Sequence, residues 1–208
     1  MENTSQRILG KSYELFMRYG IRSVSMDEIA QQLGISKKTI YQYYTDKDKL
    51  VEDVIEFVLN INRKDCLHQQ QISSNAIHEV LLTIESVKQM LSKMNLAVMY
   101  DLEKYHPSAF NKYNDYKKDF LYNIIVNNIL RGKSEGLYRE EIQTNLIARF
   151  RLASVFLIFN TEIFPDENFT LPELIAETTD NFLYGIASPE GCKMIEYYKQ
   201  QRKNLSRA

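Results

Sequence analysis

The chain has 208 residues, of which 44% are hydrophobic and 25% are charged, and its formal net charge is −1. This composition is ordinary for a globular protein of one or two domains, and the charge argues against bulk attraction to nucleic acid. The longest apolar run, residues 152–159, is far shorter than the roughly 20 residues needed to cross a bilayer, which excludes a membrane-spanning segment.

The cysteines and the N-terminus indicate the cellular compartment. Cys66 and Cys192 are far apart and have no ligand-like companions, so we expect free thiols in a reducing environment and no metal site. Residues 1–10 lack the apolar core of a signal peptide. We therefore expect a cytoplasmic protein that is not associated with a membrane.

The first predicted helix ends at Gly20. Glycine and proline number only seven and four, which favours helices over strands. The first helix has one apolar face with helical spacing, formed by Ile8, Leu9, Ser12, Leu15, Phe16 and Tyr19. A glycine stops such a helix because it readily adopts the positive φ of a C-terminal cap.

Two short helices follow. Ser25 and Glu28 have the spacing of a capping box that begins the second helix, and Gly34 ends it. Ser36 is placed to cap a third helix that runs through Tyr43. The tripeptide between the two helices, Gly-Ile-Ser, makes the pair a predicted helix-turn-helix.

The fourth helix begins near Lys47, capped by Thr45 or Asp46, and its apolar period through Ile61 predicts a long rigid connector. The remaining predicted helices cover residues 77–98, 107–136, 143–163 and 171–187. No segment shows the alternation of a half-buried strand, so the fold class is predicted to be all-α.

The third helix is the candidate that carries function. In a helix-turn-helix the second helix lies in the major groove of DNA. Helical spacing turns Ile35, Ile40 and Tyr44 inward, and the outward side chains are Lys37, Lys38, Thr39, Gln42 and Tyr43. Lysine can donate to guanine, glutamine can pair with adenine, and threonine can contact the thymine methyl group. Residues 1–50 carry eight basic and six acidic side chains, a mild asymmetry that permits a DNA-binding head.

The run from Ile8 to Leu50 resembles the DNA-binding domain of the TetR-type transcriptional repressors. The shared motifs are LF-x-x-x-G at the end of the first helix, then S-M-x-E-I-A, and then L-G-I-S-K-x-T-I-Y-x-Y-Y. The resemblance implies an N-terminal three-helix helix-turn-helix domain, residues 1–47, and a C-terminal helical domain for effector binding and dimerisation, residues 48–208.

The resemblance also implies contacts with double-stranded operator DNA. Base or base-adjacent contacts are expected from Lys37, Lys38, Thr39 and Gln42, and phosphate contacts from Ser25, Tyr41, Tyr43 and Lys47, with Ser36 at the start of the helix. This sequence departs from the common pattern at Lys38, where glycine is frequent, and at Tyr43, which is often histidine.

The resemblance to the TetR-type repressors also implies that the protein is a dimer and responds to an effector. Residues 152–159 are apolar nearly all round, as expected for a helix covered on both sides. We expect a homodimer interface that includes Phe156, Phe159, Phe182 and Ile186. An unidentified small-molecule effector, with no cofactor, is expected in a pocket lined by Tyr100, Tyr105, Phe110, Tyr113, Phe120, Phe156 and Phe159.

Two other classes of protein compete with this hypothesis. An enzyme is disfavoured because the three histidines have no catalytic or metal-binding spacing and no glycine-rich phosphate loop occurs, so no catalytic residue is predicted. A helical protein-binding adaptor would use the broad apolar helices but has no need for Lys37, Lys38 and Thr39 beside a capped turn.

Overall fold

A computed structural model describes residues 4–165 and 168–205, and these ranges are helical with short connections. The α-helices of this part are α1 (Thr4–Tyr19), α2 (Met26–Leu33), α3 (Lys37–Tyr43), α4 (Lys47–Ile72), α5 (Ala76–Leu91), α6 (Ala97–Tyr105), α7 (Pro107–Tyr116), α8 (Tyr122–Ser134), α9 (Thr144–Leu157), α10 (Leu171–Ile186) and α11 (Pro189–Leu205). A π-helical turn, Lys117–Leu121, joins α7 and α8. Within the described ranges the only β-type pairing is an isolated antiparallel bridge between Tyr138 and Ala187, so the predicted all-α class is confirmed.

The chain forms two compact units. The first consists of Met1–Lys64 and Lys93–Lys118, and the second of Asp65–Ser92 and Asp119–Ala208. The predicted helix-turn-helix lies in the first unit, together with the first part of α4 and with α6 and α7. The predicted boundary after residue 47 separates a DNA-binding domain from an effector-binding domain by function, and it stays a prediction.

The core of the first unit joins the helix-turn-helix to helices that are distant in sequence. Its buried residues include Ile8, Phe16, Ile29, Ile40, Leu50, Val54, Val98 and Leu102. They come from α1, α2, α3, α4 and α6, so the short α2 and α3 are stabilised mainly by packing on longer helices.

Local signals begin and end the short helices as predicted. Gly20 and Gly34 have φ angles of 84° and 65°, the left-handed conformation that a side chain would oppose. Ser25 accepts a hydrogen bond from the Glu28 amide at 3.1 Å and so caps α2, but the second bond of the predicted capping box, from the Ser25 amide to the Glu28 carboxylate, is not found among the described residues. Asp46 accepts from the Lys49 amide at 2.8 Å and so caps α4.

The second unit has its own apolar core and a buried ion-pair network. Its core residues include Ile77, Leu81, Ile129, Tyr138, Ala148, Phe182, Leu183 and Ile195. Arg131 forms ion pairs with Glu79 at 3.0 Å and with Glu135 at 2.7 Å, so two carboxylates neutralise its charge. Desolvation raises the pKa of Glu79, an effect that its hydrogen bonds oppose.

Two predicted helix boundaries are wrong. The helix predicted over residues 77–98 ends at Leu91, because the Asn95 side chain accepts from the Ala97 amide at 2.9 Å and starts α6 separately. The helix predicted over residues 143–163 ends at Leu157, where the Asn160 side chain accepts from the next amides and forms a turn.

Helix α11 was not predicted at all. It has the local signals of a helix start, since Ser188 accepts from the Gly191 amide at 3.0 Å and Pro189 occupies the first position. Its apolar period is weak because few positions turn inward, chiefly Ile195. In residues 4–165 and 168–205, no helix has both the length and the apolarity required to cross a lipid bilayer.

Candidate nucleic-acid interface

Helix α3, which is predicted to enter the major groove of DNA, packs against the protein on one side and exposes polar side chains on the other. Ile40 and Tyr44 are almost completely buried, which confirms their predicted inward orientation. The Tyr44 hydroxyl lies 3.0 Å from the Ser5 hydroxyl of α1, and burial raises the pKa of Tyr44. The backbone of α3 is therefore fixed against α1, while its opposite face is available to a partner.

The predicted DNA contacts are accessible side chains. Ser25, Ser36, Lys37, Lys38, Tyr41, Gln42 and Tyr43 are exposed, whereas Thr39 and Lys47 are half-buried. Ser36 accepts from the Thr39 amide at 3.1 Å, and the two hydroxyl oxygens lie 2.8 Å apart. These bonds cap α3 and orient both hydroxyl groups at its N-terminus, the end at which helix-turn-helix proteins contact base edges.

Lys37 already has an anionic partner in the same unit. Its Nζ lies 2.7 Å from an Asp27 carboxylate oxygen and 5.9 Å from the centre of the Tyr41 ring. The hydrogen bond to Asp27 raises the pKa of Lys37, so the ammonium stays charged. If Lys37 contacts DNA as predicted, a phosphate or base has to compete with Asp27 for this ammonium group.

Beside Lys37 lies a cleft of about 310 Å³ at the N-terminus of α2. Its polar and charged lining residues are Arg22, Ser23, Ser25, Asp27, Lys37, Tyr41 and Lys47. Lys47 donates to the Arg22 carbonyl at 3.4 Å, and burial lowers its pKa. Three cations, three hydroxyl groups and a helix N-terminus are the groups that hold phosphate. The cleft therefore brings together four residues of the predicted set, Ser25, Lys37, Tyr41 and Lys47.

Sequence reasoning missed Arg22 and the residues that hold the turn around it. The Asp101 carboxylate of α6 accepts from the Arg22 amide at 2.8 Å, although the two residues are 79 apart. The Asn95 amide donates to the Met17 carbonyl at 2.7 Å, and His106 bonds Asp48 at 2.7 Å. Arg22 could have been noticed as a cation just before the Ser25 cap. The other contacts have no local sequence signal.

The N-terminal part of the chain is similar to a known family of proteins. Residues 8–54 match the family described as bacterial regulatory proteins, tetR family. An uncharacterized HTH-type transcriptional regulator of Bacillus subtilis (strain 168), YvaF, is 27% identical over 186 residues, which are 89% of this chain and 96% of that protein. Residues 8–54 therefore form a TetR-family DNA-binding domain. The matched range includes every residue predicted to contact DNA.

Solved structures of transcriptional regulators share the fold of this chain. A transcriptional regulator from Saccharomonospora viridis, solved in complex with choline, aligns with a TM-score of 0.74 at 18% identity, covering 89% of this chain and 98% of that one. A TetR-family regulator from Agrobacterium tumefaciens aligns with a TM-score of 0.73 at 15% identity, covering 88% and 97%. At such low identity the likeness concerns the fold alone.

The predicted effector-pocket residues are divided between the two units. Tyr100, Tyr105, Phe110 and Tyr113 lie in the first unit, and Phe120, Phe156 and Phe159 in the second. Tyr100 and Tyr105 are exposed on α6, whereas Phe110 and Tyr113 pack against the first core. Phe120, in the π-helical turn, is half-buried, as are Phe156 and Phe159.

The predicted dimer residues also differ in their surroundings. Phe182 and Ile186 are buried in the core of their own unit. Phe156 and Phe159 are half-buried at the end of α9 and just after it. The same helix carries large apolar side chains that are far more exposed, Leu146, Phe150 and Leu157. The most exposed apolar face of α9 is therefore the one that carries Leu146, Phe150 and Leu157, which the sequence analysis did not assign to the dimer interface.

Proposed function

We propose that this chain is a homodimeric TetR-family repressor that binds an operator and is released from it by a small-molecule effector. The observation that carries the proposal is the arrangement of α3. Its polar side chains are exposed on one side, while Ile40 and Tyr44 fix the opposite side in the core. Because the proposed partner is operator DNA, we propose that the protein acts in the cytoplasm. We keep residues 1–47 as the DNA-binding domain and residues 48–208 as the domain for effector binding and dimerisation.

The DNA contacts divide by chemistry. Lys37, Lys38, Thr39 and Gln42 are proposed to contact bases, because α3 presents them on one polar face. The proposed phosphate-binding residues are Ser25, Ser36, Tyr41, Tyr43 and Lys47, to which the cleft adds Arg22. Base contacts provide sequence preference and phosphate contacts provide affinity and orientation.

A DNA mobility-shift assay with the region upstream of its own gene tests this assignment. Replacing Lys37 and Thr39 together by alanine should weaken operator binding by about 1–3 kcal/mol for each base interaction that these side chains make. Lys64→Ala is the matched control, since this lysine is exposed on α4 but far along the helix from Lys47. If the double variant and the control bind the operator equally, the proposed readout by α3 is refuted.

Dimerisation is supported by an apolar stripe on α9. Leu146, Phe150 and Leu157 are 60%, 64% and 43% exposed. On an α-helix these three positions lie within about 40° of one another, so they form one stripe along the helix. Large side chains exposed in this way mark interaction surfaces, and a symmetric dimer would cover the stripe with a second copy of itself.

The dimer is tested by sedimentation equilibrium of the Phe150→Glu variant. A charge at the centre of the stripe should convert the dimer to a monomer and weaken operator binding, because one recognition helix reads only a half-site. Tyr197→Glu provides the control, since Tyr197 is 52% exposed on α11 of the same unit. Dimerisation of Phe150→Glu at wild-type affinity would exclude α9 as the interface.

Effector release is proposed as a shift of population. A ligand that binds better to the form unable to engage DNA lowers operator affinity by the difference between its two affinities. Choline in the Saccharomonospora viridis regulator supports small-molecule binding by this fold, without identifying the ligand here. A promoter–reporter assay distinguishes repression from activation, since deletion of a repressor raises expression.

A further inference from the structure

Arg151 is an arginine in the interior of the second unit. It lies on α9 and is only 6% exposed. Its Nη2 donates to the Thr179 hydroxyl of α10 at 2.8 Å, and its guanidinium lies 4.9 Å from the centre of the Phe182 ring. Thr179 in turn donates its hydroxyl proton to the Ile175 carbonyl at 2.6 Å. The surroundings therefore supply one neutral acceptor and an aromatic face.

The charge of Arg151 has no carboxylate partner in the described part of the chain. None of the ion pairs found there includes Arg151, and its Nη1 is buried without a hydrogen-bond partner among the same residues. Arg131 in the same unit provides the comparison, because it bonds the two carboxylates of Glu79 and Glu135. Two carboxylates therefore neutralise the charge of Arg131, whereas no carboxylate among the described residues neutralises that of Arg151.

An uncompensated buried cation destabilises a fold, so its presence requires a reason. Burial lowers the pKa of Arg151 to about 10, which still leaves the guanidinium protonated at neutral pH. The group cannot avoid the cost by losing its proton. An anion from outside the chain would satisfy both the charge and the free Nη1.

We infer that Arg151 anchors the effector through a carboxylate, and that the effector is a small organic acid with an apolar body. The inference rests on the proposed effector-controlled function and names the chemical class of the ligand. A carboxylate accepts from a planar guanidinium in two parallel bonds, and a single arginine balances its single charge. The Phe182 ring and the apolar core around α9 and α10 match an apolar body.

The same geometry opposes other ligand classes. A quaternary ammonium ligand would bring a second cation beside an uncompensated one. A phosphate dianion would carry more charge than one arginine balances. Because Nη1 has no access to solvent, a ligand reaches it only if neighbouring side chains of α9 and α10 move. Binding to a rearranged form is the property that an effector needs in order to shift a population.

Isothermal titration calorimetry with matched probes tests the inference. The probes are butanoate, octanoate and dodecanoate below micelle-forming concentrations, with octanol and octyltrimethylammonium as controls for the head group. At least one of the carboxylates should bind the wild-type protein, and that carboxylate should reduce operator binding in a mobility-shift assay. Octanol and octyltrimethylammonium should bind at least about tenfold more weakly than octanoate, since neither can accept a charged hydrogen bond from the guanidinium as a carboxylate does.

Variants of one position separate a ligand anchor from a structural residue. Arg151→Met should weaken carboxylate binding by at least about tenfold. Its melting temperature should equal or exceed that of the wild type, because an uncompensated cation is removed. Arg151→Lys restores the charge and should recover part of the affinity. Arg149→Met, an exposed neighbour on α9 that stacks on Tyr122, should bind like the wild type.

The outcomes distinguish this inference from the proposed function. If the wild type binds its operator but no carboxylate binds, or if Arg151→Met binds carboxylates as well as the wild type, the inference is overturned and the repressor hypothesis stands. A large fall in the melting temperature of Arg151→Met would likewise overturn it by assigning Arg151 a structural role. If the wild type binds no DNA while a carboxylate binds through Arg151, the proposed function fails and the anion site remains.

Discussion

Replacement of Asp101 by alanine should loosen the turn beside the cleft that we propose binds phosphate. The Asp101 carboxylate is 6% exposed and accepts from the Arg22 amide at 2.8 Å. Its charge also opposes the effect of burial on the pKa of Lys47. A hydrogen bond to a charged group contributes about 1.5–3 kcal/mol, so Asp101→Ala should lower the free energy of unfolding by about that amount.

Operator affinity should fall in the same variant. Arg22 precedes the Ser25 cap of α2, and a turn that opens part of the time leaves only a fraction of molecules competent to bind DNA. Asp101→Asn keeps an oxygen acceptor without the charge, so we expect a smaller reduction of both stability and affinity.

Urea denaturation measures the stability, and fluorescence anisotropy with labelled operator DNA measures the affinity. Asp115→Ala is the matched control, because it removes an exposed aspartate from α7 of the same unit. If Asp101→Ala and Asp115→Ala agree in both measurements, the carboxylate does not hold the turn and the reasoning is refuted.

Three other changes test separate contacts. Asp27→Asn frees Lys37 and should strengthen operator binding severalfold with a steeper salt dependence; an unchanged affinity would mean that the ion pair does not compete with DNA. Gly132→Ala places a methyl carbon 2.0 Å from the Tyr138 ring and should cost about 1–3 kcal/mol of stability, whereas Gly10→Ala meets open space and should be neutral or stabilising. Burial raises the pKa of the Cys66 thiol to about 11, so iodoacetamide at pH 8 should modify it far more slowly in the folded than in the urea-unfolded protein.

The helix-turn-helix could be predicted because its signals are local. The Ser36 cap, the Gly34 stop and the inward Ile40 depend on contacts within one or two helical turns, and the structure reproduces all three. The failures are also local in origin. Side chains of Asn95 and Asn160 bond nearby amides and interrupt helices whose apolar period continues past them.

The interior of the second unit could be predicted only in part. The sequence indicated that α9 is apolar nearly all round, but such a pattern does not say which side is covered by the chain itself. The structure buries Phe182 and Ile186 of α10 and leaves Phe150 exposed on α9. It also divides the predicted pocket aromatics between two units, because aromatic residues are as common in cores as in pockets.

The sequence by itself determined the helical class, the caps and the polar face of α3, since these follow from spacing along one helix. Only the tertiary structure decided which distant groups meet, because such contacts depend on chain packing and not on spacing. Asp101 reaches the Arg22 amide across 79 residues, and Arg151 meets Thr179 and Phe182 but no carboxylate among the described residues. The sequence was sufficient to predict the helix-turn-helix, whereas the fold was needed to find the residues that hold it and the cation that we propose binds an effector.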